Sequence, residues 1–234
     1  MDINDPEIQD LRAQVKTAAE AFDWAIALHE VWLTAGKDTA LHSRLNDSYA
    51  GNAFRVIRIA LRDQIILAIT RLWDTNPDAL RMSKIGATIK ERPVIEALAA
   101  DRAKRAFPGT ESEMLRHLSK LAKEASALIA KYQKGGAGNS TREALMAWRH
   151  NRIAHHNITP AIVVGTAGID EKEAETLFVD HAKLIDHLLS LVLAEAYNPL
   201  DTAKIYRIYA QYFWESVEGE RSERHPRYKR PEVC

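Results

Sequence analysis

Apolar residues recur along this chain every three or four positions, the rhythm of amphipathic helices. Asp5-Pro6 offers an N-cap acceptor followed by a first-turn proline. From there Ile8, Leu11, Val15, Ala18, Ala19, Phe22, Ile26 and Leu28 predict a helix to Ala35, with Gly36 as its stop. Trp24, His29 and Trp32 lie in this helix, and His29 reads as a packed or surface side chain. A loop is expected from Lys37 to Asn46, after which Asp47 caps a second long helix. Phe54, Ile57, Leu61, Ile65, Ala68 and Leu72 form its stripe. Ile59, Ile66, Ile69 and Trp73 widen that stripe, as in a helix buried on more than one side. It ends at Asp74-Thr75-Asn76-Pro77, where proline discourages continuation.

Between Ala79 and Phe107 the pattern shortens into small helices broken by Gly86 and Pro93. Thr110-Glu111-Ser112-Glu113 reads as a capping box opening a helix with Met114, Leu115, Leu118, Leu121, Ala125, Leu128, Ile129 and Tyr132 inward. Gly135-Gly136-Ala137-Gly138 follows without a preceding strand or a trailing Lys-Ser/Thr, so it reads as a turn and not a phosphate loop. A second capping box, Ser140-Thr141-Arg142-Glu143, opens the next helix, with Ala144, Leu145 and Trp148 on its buried side. Ile162-Val163-Val164 is the one stretch with strand character. Another helix runs from Asp170 through Leu177, Leu184, Leu188 and Val192 to Tyr197, and Pro199 closes it. Asp201 then caps a last helix running through Ile205, Ile208, Tyr212 and Trp214. No repeat recurs at a fixed period. These elements predict an all-α fold, an up-and-down helical bundle with accessory short helices. Residues 1–219 read as a single domain and 220–234 as a polar, basic C-terminal tail.

Composition narrows the field. The 234 residues are 46% hydrophobic and 27% charged, enough for one sizeable core. The formal net charge is zero, so a nucleic-acid site would have to be a local patch. The single cysteine, Cys234, excludes an internal disulfide framework and a thiolate zinc site, and suits a reducing compartment. No signal peptide is evident in the acidic opening, and no apolar run is long enough to span a bilayer. A soluble cytoplasmic protein is expected.

The densest chemistry is Trp148-Arg149-His150-Asn151-Arg152-Ile153-Ala154-His155-His156-Asn157. Arginine stays charged and forks onto phosphate oxygens, while histidine titrates near neutral pH and can take or give a proton. Together they meet the needs of RNA cleavage by the RNA's own 2′-hydroxyl: a base, an acid and a cation beside phosphorus. That scheme requires no metal or other cofactor. The histidines lack an HExxH arrangement and a carboxylate at ligand spacing, so no metal site is assigned. Six residues separate Arg149 from His155, a rotation of about 240° on an unbroken helix. Either the helix unwinds near Ala154, or two chains share the site. A two-fold homodimer would bring two arginines and two histidines into one cleft.

Arg149-His150-Asn151-Arg152-Ile153-Ala154-His155 resembles the R-x(4–6)-H signature of the HEPN superfamily. With Arg71-Leu72-Trp73-Asp74 and the long helix after the motif, the likeness is to the abortive-infection AbiU branch, over roughly Phe22 to Tyr197. The resemblance implies a HEPN-like bundle, homodimerisation, and metal-independent endoribonuclease activity at the dimer cleft, in a toxin or phage-defence role. Carried over, Arg149 is the phosphate-binding and transition-state-stabilising residue and His155 the general acid/base. His150, Asn151, Arg152 and His156 become substrate-binding residues, with His156 also at a spacing that fits the acid/base. Asp74 is expected to cap or pair locally. The alternatives are a non-catalytic helical dimer that binds RNA or a nucleotide, and a regulatory protein held by an antitoxin or similar partner. In a purely structural reading, Arg149 and Arg152 pair with carboxylates and the histidines complement a helix C-terminus.

Overall fold

A computed structural model of the chain describes residues 2–46, 48–76, 79–106, 109–150, 171–221, 223–224 and 228. Among these, the helices are α1 (Pro6–Lys37), α2 (Thr39–Leu45), α3 (Tyr49–Arg71), α4 (Met82–Thr88), α5 (Arg92–Ala106), α6 (Glu111–Tyr132), α7 (Asn139–Trp148), α8 (Glu171–Leu188) and α9 (Pro199–Glu215). Extended pairing among the described residues is confined to an isolated bridge between Trp73 and Arg81. The all-α expectation holds. Ile162-Val163-Val164 and the Asp47 cap lie outside the described residues.

Two compact units divide the chain, one comprising Met1–Phe22 and Leu67–Asn198, the other Asp23–Ile66 and Pro199–Cys234. The first unit holds α4 to α8, the start of α1 and the end of α3. Its start follows the expected chemistry, since Asp5 Oδ1 accepts the Glu7 amide at 3.1 Å. Ile8, Leu11, Val15, Ala18 and Phe22 are buried on α1. Leu118, Ala122, Ala125, Ile129 and Tyr132 line the inner face of α6 at three- and four-residue intervals. Gly86 does not break α4. It lets that helix approach α6 so closely that a Cβ there would stand 3.0 Å from Ile129 Cγ2. Pro93 likewise sits in the first turn of α5, where its missing N–H costs no helical bond. Beyond α8 the chain widens into a π turn at Leu189–Leu193, and Ala194, at φ 60°, ends it in the left-handed conformation.

The second unit departs further from expectation. The segment expected as a loop contains α2, whose N-cap Asp38 accepts the Leu41 amide at 2.8 Å. Leu41, Leu45, Ala35, Ala210 and Trp214 form the core of the unit, with Val31, Phe54, Leu61 and Val217 against it. On α9, Trp214 and Ala210 are buried, whereas Ile205, Ile208 and Tyr212 are exposed. Trp214 decides this orientation. Its Nε1–H donates to Val31 O at 3.0 Å, and its ring meets Phe54 edge-on at 5.4 Å. Arg207, on the same side of α9, bonds the buried Glu30 carboxylate at 2.8 Å. Ile57, expected inward on α3, is also exposed.

Candidate functional site

The site is built where α6 hands over to α7 in the first unit. Gly135, at φ 88°, turns the chain. Gly138 then lies against the Tyr132 ring, so closely that a Cβ there would overlap Cε1. Because α7 starts at Asn139 from Gly138 with no side-chain cap, Ser140 and Thr141 sit inside the first turn. The capping box expected at Ser140 is therefore not formed, and Thr141 is buried instead. The Arg142 guanidinium bonds Asn139 Oδ1 at 3.0 Å and lies 5.8 Å over the Trp73 indole. At Arg149 and His150 the helix widens into a π turn, and the Arg149 amide points to both Leu145 O and Met146 O. Such widened turns often occur where a helix must aim a functional side chain.

Arg149 meets the end of α3. Its Nη2 donates to Asp74 Oδ2 at 3.1 Å, with both side chains roughly a quarter exposed. Asp74 Oδ1 accepts the Thr75 amide at 2.7 Å and the Asn76 amide at 3.1 Å. The Asn76 amide chiefly holds the Asp74 carboxyl below its ordinary range. Partial burial works against this, and Arg149 and the Thr75 amide add to it. The expected local capping by Asp74 is present, joined by a bond 75 residues away in sequence. Carboxylate pairing, the structural alternative, thus holds for Arg149. His150 is exposed. Asn151, Arg152, His155 and His156 lie outside the described residues, so Arg149 and His150 are the motif residues whose positions can be given.

Beside this pair is a buried group that sequence reading missed. His181 on α8 is fully enclosed by Trp73, Tyr132 and Phe22, with ring centroids 5.7, 5.1 and 6.5 Å away. Trp73 Nε1–H donates to His181 Nε2 at 2.7 Å. Indole nitrogen can only donate, so Nε2 accepts and Nδ1 carries the proton given to Leu177 O at 2.7 Å. Burial pushes the His181 pKa down to about 4, against the opposing pull of the Leu177 carbonyl and Asp180, and the ring is neutral at physiological pH. Asp180 in turn accepts from Lys131 Nζ and from the Tyr132 hydroxyl at 2.7 Å. Leu177, His181, Leu184 and Leu188 share one helical face, so the spacing places His181 inward.

Among the described residues no group of three or more histidine, cysteine, aspartate or glutamate side chains is arranged to hold a metal ion. Two open grooves, of about 580 and about 460 Å³, lie away from Arg149. The larger, in the second unit, is bordered by Lys37, Asp38, Arg44, Arg207 and Glu215, and the smaller runs between Ile89 and Ser126. Neither of these two is lined by Arg149, His150 or Asp74.

An all-helical unit that sets an arginine at the end of a helix, at the head of an R-x(5)-H motif, has the architecture of a HEPN-superfamily domain. The family model HEPN_AbiU2, described as AbiU2, matches residues 8–213, and the chain belongs to that family. Membership points to a nuclease or abortive-infection role, and HEPN domains generally dimerise. Neither a curated protein nor a solved structure matches the chain. No helix among the described residues is long and apolar enough to cross a membrane.

Proposed function

We propose that this chain is an endoribonuclease that cuts RNA without a metal ion, by 2′-hydroxyl attack in a cleft shared by two copies, as a toxin or phage-defence effector. The observation that carries the reading is the aimed, partly exposed Arg149 guanidinium at the π turn, heading the motif within a HEPN_AbiU2 chain. A base, assigned to His155, removes the 2′-hydroxyl proton, and that oxygen bonds to phosphorus. The bond from phosphorus to the 5′ oxygen breaks, and an acid returns a proton to the leaving oxygen. The products are a 2′,3′-cyclic phosphate and a 5′-hydroxyl end. Arg149 balances the charge on the phosphoryl oxygens as the bonds exchange. The second copy supplies the other imidazole, so that acid and base are separate groups. His150, Asn151, Arg152 and His156 contact the RNA strand.

RNA cleavage measured with EDTA present tests this. Arg149→Ala and His155→Ala are each expected to lower the rate by at least about 10²-fold while RNA binding and helical content persist. If both variants cut like the wild type, the site assignment fails. The Asp74 contact favours a second reading, in which Arg149 only helps to hold RNA or a nucleotide. That reading requires binding by the wild-type protein with no cleavage of any RNA tested. Co-purification of a small partner chain would instead support an antitoxin-regulated protein.

A further inference from the structure

The end of α3 is fixed more firmly than a helix terminus needs to be. Leu72 and Trp73 close it with tight i→i−3 bonds to Ile69 O and Thr70 O. Leu72 O also accepts the Met82 amide at 3.0 Å, which ties the turn to the start of α4. The Trp73 indole is buried and bonded to the enclosed His181 on α8. The next residue, Asp74, has one carboxylate oxygen held by two backbone amides, donors that cannot rotate away as a side chain can. Its other oxygen is thereby presented in a set place, and it is this oxygen that meets Arg149 Nη2. A guanidinium carries five N–H donors in a rigid plane. A single bond through Nη2 orients that plane without exhausting it. Arg149 itself stands on a helix end that has already left regular geometry. Without a partner, its long side chain would sample many rotamers, and each must be given up when phosphate binds.

We infer that Asp74 is a positioning residue that pre-orients the Arg149 guanidinium for a phosphodiester, on the frame set by Trp73 and His181. The inference rests on the proposed phosphate-binding role of Arg149. Asp74 does not touch RNA. It acts through Arg149 alone, so its contribution vanishes when Arg149 is removed. A merely structural staple between α7 and the end of α3 would instead affect stability and leave RNA handling untouched. An unrelated RNA contact by Asp74 would add to the Arg149 effect.

The test is a double-mutant cycle on Asp74→Ala and Arg149→Ala, read by cleavage kinetics and by affinity for a short RNA oligonucleotide in EDTA. Asp74→Ala is expected to lower cleavage about 10- to 100-fold, mainly in kcat, because a mis-set guanidinium loses more in the transition state than in the ground state. Added to Arg149→Ala, it is expected to change neither cleavage nor affinity further. Asp74→Asn keeps the size and one acceptor oxygen and serves where the alanine variant does not fold. Wild-type rates and affinities in Asp74→Ala, or losses that simply add in the double variant, would overturn the inference. If the wild type binds RNA but cuts none, the nuclease reading falls, and non-additive affinities alone still uphold the role of Asp74.

Discussion

At the residue scale, His181 shows how the same side-chain type takes opposite duties. His155 is proposed to exchange protons, whereas His181 is enclosed and fixed as one neutral tautomer between Trp73 and Leu177. Its folded pKa, about 4, lies below the ordinary 6.5. As pH falls below 6.5, the unfolded chain takes up a proton that the folded chain refuses until about pH 4. The stabilisation is therefore complete above pH 6.5 and is lost as pH falls toward 4, by up to about 3 kcal/mol. Urea unfolding at about pH 7.5 and about pH 5 measures this, with His181→Gln as the non-titrating control. The glutamine variant is expected to be less stable by about 1–3 kcal/mol at the higher pH, yet to lose less than the wild type on acidification. An unchanged pH slope in the variant would show that His181 titrates normally.

At the element scale, the turn between α6 and α7 sets where Arg149 emerges. Gly138 faces the Tyr132 ring, and that ring cannot easily retreat, since its hydroxyl is bonded to Asp180 and its face packs on Trp73 and His181. Gly138→Ala is expected to destabilise the fold by about 1–3 kcal/mol through this overpacking, seen as a lowered thermal midpoint. A midpoint equal to the wild type would mean that α7 is free to shift. Helix existence was legible from spacing alone for α1, α3, α6, α8 and α9, because a helix-period stripe needs no partner to be recognised. Which stripe faces inward was not legible for α9. That helix carries two apolar stripes, and Trp214 with the Arg207–Glu30 pair selects one of them. The small helix α2 was missed because its few apolar residues, Leu41 and Leu45, make too short a pattern to register.

At the scale of the whole molecule, the proposed reaction asks for two copies. Arg149→Ala and His155→Ala chains are each expected to be inactive as homodimers. Co-expressed with different tags and purified as a mixed dimer, they are expected to stay about 10²-fold or more below the wild-type rate, because the shared cleft then holds one imidazole where acid and base need two. A mixed dimer that regains about half the wild-type rate would show instead that each site works with one arginine and one histidine, taken from different copies. Size-exclusion chromatography with light scattering, against the 26.4 kDa chain mass, supplies the stoichiometry for the comparison.

Hydrophobic spacing by itself determined that the chain is helical, and the local string from Arg149 to His155 pointed to its family and to candidate chemistry. Both are properties of near neighbours in sequence, and the physics of a helix face or a short motif is local. Tertiary structure alone decided what Arg149 meets, how α9 is turned, and that His181 is sealed against protons. Asp74 lies 75 residues from Arg149, and Trp73 lies 108 from His181. Contacts of that span arise only when packed helices bring distant positions together, and no periodicity in the chain encodes them.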